Sequence, residues 1–145
     1  MADYPDILKR EHLTNEERKC ICNQLMTTES HMERLILKHF TDEDFRKVWE
    51  RKIGGGVIGG KACGLLVARK LIEGNMPQYS GHIEPHNSFF IGTDVFYRYL
   101  VLNRCAELKA RHTLEKEHFK ETEELTNRLR KGMIPDDIRS EEHTS

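Results

Sequence analysis

Five of the seven residues from Gly54 to Gly60 are glycine, and Lys61 follows them directly. A regular helix or strand is disfavoured through such a block, because glycine loses more backbone freedom on ordering than any other residue. The chain must therefore turn or hinge here. The segment before it, "TDEDFRKVWERK", reads as a helix that the glycines stop. Thr41 is its cap, Asp42 to Asp44 form an acidic first turn, and Phe45, Val48 and Trp49 share a face. After the block, Lys61 to Glu73 reads as a helix with Leu65, Leu66, Ala68, Leu71 and Ile72 on its apolar side. Gly74, Asn75 and Pro77 mark its end.

Around this centre the chain is mostly helical in pattern. Residues 15–40 carry Ile21, Cys22, Leu25, Met32, Leu35 and Ile36 at helical spacing, with Thr14 as cap, and predict one continuous helix. "PQYSGHIEPHN" is a turn-rich connection, and Ser88 to Gly92 is short, aromatic and β-branched, which predicts a strand. Thr93 then caps a helix over "DVFYRYLVLN". Residues 106–131 predict a long, weakly amphipathic helix ended by Gly132, and Pro135 to Ile138 begin a further helix that does not develop. A lone strand leaves its backbone groups unpaired. A cut-short chain is therefore expected, and "RSEEHTS" at 139–145 resembles the translation of a sequencing adapter, a non-native tail.

Composition narrows the function. A formal net charge of -1 gives no electrostatic case for binding nucleic acid or an anionic membrane, so neither is an expected partner. The apolar runs are too short to span a bilayer, and "MADYPDILKREHL" lacks the pattern of a secretory signal. A cytoplasmic location is expected. Four cysteines fit reduced thiols; Cys20 and Cys22 form a C-x-C rather than the paired C-x-x-C of a zinc site, and Cys22 is expected in a helix core. No metal site is expected. His82 and His86 read as exposed loop residues.

The segment from Gly55 to Lys61 meets the P-loop spacing G-x-x-x-x-G-K. Ala62 stands where that motif needs Ser or Thr, and "VWERK" is a charged helix end rather than the buried strand a P-loop follows. The local chemistry remains suited to an anion: glycines let backbone N–H groups come close, a helix starting at Lys61 points its positive end there, and the lysine adds a charge. A glycine hinge with a solvated lysine is the competing reading.

"IGGGVIGGKACGLLVARKLIEG", followed by "SFFIGTDVFYRYLVLN" and "GMIPDDI", resembles the amino-terminal part of the ATP-binding domain of pyruvate phosphate dikinase and phosphoenolpyruvate synthase. Gly59, Gly60 and Lys61 match its G-G-K, Leu65 the leucine that follows, and Phe90-Ile91 with Phe96-Tyr97 the strand-to-helix segment. The resemblance implies an α+β, mostly helical chain: a helical leader at 1–52 and an incomplete ATP-grasp-type domain at 53–138. It implies ATP and Mg2+ as cofactors, pyruvate or another small phosphate acceptor, and Lys61, Gly60 and Gly59 on the ATP phosphates. The family's arginine-serine segment, its magnesium-binding acidic residues and its phosphohistidine domain have no counterpart here, so the catalytic residues are unassigned and the chain alone is expected to be inactive. The alternative is a non-enzymatic helical interaction module in which residues 15–50 and 106–131 dock on a partner.

Overall fold

The computed structural model describes residues 4–84, 87–114 and 119–141. The chain divides into two compact units, Met1–Gly92 and Thr93–Ser145.

In the first unit, α1 (Tyr4–Leu8), α2 (Asn15–Ile21), α3 (Ser30–His39), α4 (Asp42–Glu50) and α5 (Gly60–Asn75) enclose the core. Two of these helices start on reciprocal caps. Thr14 Oγ1 accepts from the Glu17 amide at 3.2 Å while the Glu17 carboxylate accepts from the Thr14 amide at 2.9 Å. Thr41 and Asp44 repeat the arrangement at the start of α4. Caps of this kind contribute about 1 kcal/mol each.

The single helix expected over 15–40 is two helices. A π-turn, Cys22–Met26, closes with the Thr27 amide on the Cys22 carbonyl at 3.0 Å, and Thr27 is extended. Glu29 then caps α3, accepting from the amides of His31 at 2.8 Å and Met32 at 2.7 Å. The polar run Thr27 to Ser30 supplies side-chain acceptors that compete with helical backbone bonds, and it breaks the helix although the apolar spacing continues.

The strand expected near Ser88–Gly92 is not alone. β1 (Lys52–Ile53) and β2 (Phe90–Ile91) pair in parallel, Lys52 opposite Phe90 and Ile53 opposite Ile91. The Phe90 amide donates to Arg51 O at 2.8 Å and the Gly92 amide to Ile53 O at 2.9 Å. Two residues at a helix end carry no alternation, so β1 has no sequence signature.

Phe45 is fully buried in the core, tilted against Phe40 with ring centroids 5.8 Å apart. Leu8, Ile21, Leu25, Ile36, Ile58, Cys63, Val67 and Phe90 belong to the same buried cluster. Buried residues of α1 to α4, from Ile7 to Val48, thus share one core with Ile58, Cys63 and Val67. Cys22 is fully buried there, as its helical position predicts.

The second unit holds α6 (Thr93–Leu102), α7 (Ala106–Leu114), α8 (Phe119–Lys131) and α9 (Asp136–Glu141). The one helix expected over 106–131 is two, α7 packed on α8, with residues 115–118 outside the described residues. The helix expected not to develop after Pro135 does form. Its first turn is acidic, Asp137 pairs with Arg98 at 2.6 Å, and Ile138 is buried. Asn103 ties the helices together: its amide oxygen accepts from the Met133 N–H at 2.8 Å and its amide nitrogen donates to Met133 O at 3.0 Å. The described residues are mostly helical, with one small parallel strand pair among them. No helix among the described residues is long and apolar enough to cross a membrane.

Candidate functional site

The glycine block forms a turn. Gly54, Gly56 and Gly59 have φ values of 74°, 74° and 85°, in the left-handed region that side-chain-bearing residues avoid. The turn folds back over the carboxyl ends of β1 and β2, bringing Gly55 against Gly92.

The end of the block is anchored on the π-turn. The Ile58 amide donates to Leu25 O at 3.0 Å and the Gly59 amide to Met26 O at 3.2 Å. Both carbonyls are orphans of a helix end, so the loop satisfies them as a cap would. The Gly59 N–H is therefore spent inside the protein. Its contribution to a site is conformational: the left-handed turn that aims the chain into α5.

Gly60 and Lys61 open that helix and are exposed. The first bond at the helix start runs from the Cys63 amide to Gly59 O at 3.1 Å, which leaves the Gly60, Lys61 and Ala62 amides without intrahelical acceptors. Lys61 has no hydrogen-bond or ion-pair partner among the described residues. Three backbone donors, an ammonium group and the positive end of a 16-residue helix thus meet at one exposed place. This arrangement can hold an anion.

The inner face of the same helix turn is inert. Cys63 is fully buried, and its thiol donates to Met26 O at 3.3 Å. Burial pushes the thiol up to about 11, so it stays protonated at neutral pH and offers no nucleophile. Of the other residues that carry the resemblance, Phe90 is buried in the first unit, while Leu65 and Ile91 are exposed. Phe96 and Tyr97 are exposed on α6 of the second unit, their rings 5.9 Å apart. His82 is exposed in a 3-10 turn, Pro77–His82, and His86 lies outside the described residues.

Among the described residues no group of three or more His, Cys, Asp or Glu side chains is placed to hold a metal. Mg2+ beside a nucleotide is usually held by one or two carboxylates together with the phosphates, and the first turn of α5 carries no acidic residue. The two features that sequence reasoning missed, the anchoring of Gly59 on Met26 and the Gly55–Gly92 contact, are backbone contacts between distant segments and leave no residue-type signal. Set against known protein families, curated proteins and solved structures, the chain matches none.

Proposed function

We propose that this chain supplies phosphate contacts to the ATP site of a phosphotransferase similar to pyruvate phosphate dikinase and phosphoenolpyruvate synthase, as part of an ATP-grasp-type fold. The observation that carries the reading is the exposed, unpaired Lys61 on the first turn of α5, beside the free amides of Gly60 and Ala62. The glycine turn also lies at the carboxyl ends of two parallel strands, the end where ligands bind in open α/β sheets.

In this reading Lys61 Nζ neutralises a phosphate oxygen and the three amides orient it, while Gly59 sets the angle of approach. Phosphoryl transfer depends mainly on placing and neutralising phosphates, so these are the contributions a glycine-backed lysine can make. The acceptor class is pyruvate or another small molecule able to take a phosphoryl group. No step is assigned to Mg2+.

The test is an amide-shift titration of the 145-residue chain with ATP. The amides of residues 59–63 are expected to shift, weakly but saturably. Lys61→Ala is expected to lower the affinity about tenfold or more, because a charged phosphate contact contributes about 1.5–3 kcal/mol. An affinity unchanged by Lys61→Ala would rule the reading out.

A second reading, a non-enzymatic interaction module, draws on the second unit. Tyr97, Val101 and Met133 are 62%, 69% and 65% exposed and line one apolar groove with Leu102 and Ile134. Aromatic residues and Met are enriched at protein interfaces. This reading predicts no effect of Lys61→Ala on any ligand.

A further inference from the structure

A second feature of the first unit lies along α5, on residues about 12 Å from Lys61 at 1.5 Å per helical residue. There α4, α5 and β2 enclose a cavity of about 350 Å³. This is the lower end of the size range of small-molecule sites, about 300–1,000 Å³.

Its apolar wall is Phe40, Val48, Leu66 and Phe90, of which Phe40, Val48 and Phe90 are buried. Four cations line it as well, Lys47, Arg51, Arg69 and Lys70, against two carboxylates, Asp44 and Glu73. The carboxylates are already engaged: Asp44 with Lys70 at 2.8 Å and Glu73 with Arg69 at 2.9 Å. That leaves Lys47 and Arg51 without carboxylate partners among the described residues.

The two guanidinium groups are held in place by neutral tethers. Arg51 Nη1 donates to Asn87 Oδ1 at 2.6 Å, and the group lies 5.7 Å from the Phe89 ring centroid. Arg69 Nη1 donates to the Glu84 carbonyl at 2.7 Å in addition to its pair with Glu73. Each guanidinium has five N–H donors, so both retain donors that no described residue takes up. Fixed guanidinium forks with spare donors, next to an apolar wall, suit a planar or tetrahedral oxyanion on an apolar body.

We infer that this cleft is a binding site for a small organic anion, a phosphate or carboxylate carried on a flat apolar group the size of a benzene ring. The site is independent of the phosphate contacts at Lys61. Arg51 and Arg69 hold the charged head, Lys47 adds attraction from the rim, and the ring lies against Val48, Leu66 and the two phenylalanines.

The experiment is an amide-shift titration of the full chain with phenyl phosphate, phenylacetate and, as the uncharged control, benzyl alcohol. At least one anion is expected to give saturable shifts at residues 47–51 and 66–73 and to bind more tightly than benzyl alcohol. The stronger of the two identifies the head group. Arg69→Gln is expected to weaken binding about tenfold. Lys47→Ala, at an exposed position with no hydrogen bond or ion pair to another described residue, is expected to weaken it a few-fold, with the loss shrinking at high salt. Lys61→Ala is expected to leave it unchanged. The inference is overturned if neither anion saturates, if benzyl alcohol binds as well as both, or if Lys61→Ala abolishes the shifts.

Discussion

Gly92 stands so close to Gly55 that a β-carbon on Gly92 would meet the Gly55 carbonyl oxygen at 1.9 Å and its carbon at 2.9 Å. Both obstacles are backbone atoms, and Gly55 is held between two left-handed glycines. No side-chain rotation relieves such a clash. Gly92→Ala is therefore expected to destabilise the first unit by about 3 kcal/mol, at the upper end of overpacking costs. Trp49, the only tryptophan, lies on α4 of this unit. Urea unfolding followed by its fluorescence measures the loss, and a midpoint unchanged from the parent chain would refute the contact.

The caps and the helix faces were legible in the sequence because they are local. Thr14 with Glu17 and Thr41 with Asp44 sit at fixed spacings, and Phe45 and Val48 recur with the helical period. The missed break at Thr27 was also local, but its signal lay in capping chemistry while the apolar spacing argued for continuation. β1 was illegible for another reason: Lys52-Ile53 becomes a strand only because Phe90-Ile91 lies beside it. The candidate site divides in the same way. Lys61 at a helix start can be read from glycine punctuation, whereas the use of the Gly59 amide by Met26 depends on the π-turn placing that carbonyl. The four cations of the α4–α5 cleft are scattered over residues 47–70 and come together only in the fold.

Asp44 serves two partners, the cap at Thr41 and Lys70 on α5. Burial alone would raise its carboxyl, but the hydrogen bonds from Lys70 and Thr41 outweigh that and hold it below its ordinary value of 3.8. A carboxyl depressed in the folded state stabilises the protein above its unfolded value, and the contribution is lost as pH falls through the folded one. Asp44→Ala is expected to cost about 1.5 kcal/mol at neutral pH, combining a lost cap with a partly screened ion pair. The gap between variant and parent should close as the pH drops below 3.8. A gap that persists undiminished in acid would show that the charge of Asp44 contributes nothing.

Burial, with the Glu33 carboxylate second, pushes the Cys22 thiol up to about 12, and burial pushes Cys63 up to about 11, from an ordinary 9.0. Cys105 is also fully buried, while Cys20 is partly exposed. A thiol reagent at pH 8 should modify Cys20 rapidly in the native chain and the other three only on unfolding, since attack requires an accessible thiolate. Mass mapping of the modified positions decides this. The raised values also carry a stability term with the opposite sense to Asp44. It is present in full below pH 9.0 and is lost as the pH rises through about 11 to 12. Rapid native labelling of Cys22 or Cys63 would contradict the packing around the π-turn.

Arg104 is the one described residue other than glycine with a positive φ, 54°, and it ends α6 in a Schellman motif. The Cys105 amide donates back to Leu100 O at 2.7 Å and the Arg104 amide to Val101 O at 3.1 Å, the paired bonds of that motif. Leu100 and Cys105, the residues at its two ends, are both buried. Arg104 therefore occupies the left-handed position that glycine fills most easily. Its side chain is exposed, and its contribution to the second unit is the backbone carbonyl that accepts from Arg128 Nη1 at 3.1 Å. Glycine keeps that carbonyl and removes the steric cost of the left-handed conformation, about 1–2 kcal/mol, at the expense of a more flexible unfolded chain. Arg104→Gly is expected to stabilise the second unit by about 0.5–1 kcal/mol, measured as slower amide hydrogen exchange in α6 and α8. Faster exchange there would mean that the arginine side chain holds α6 to α8 by more than its backbone.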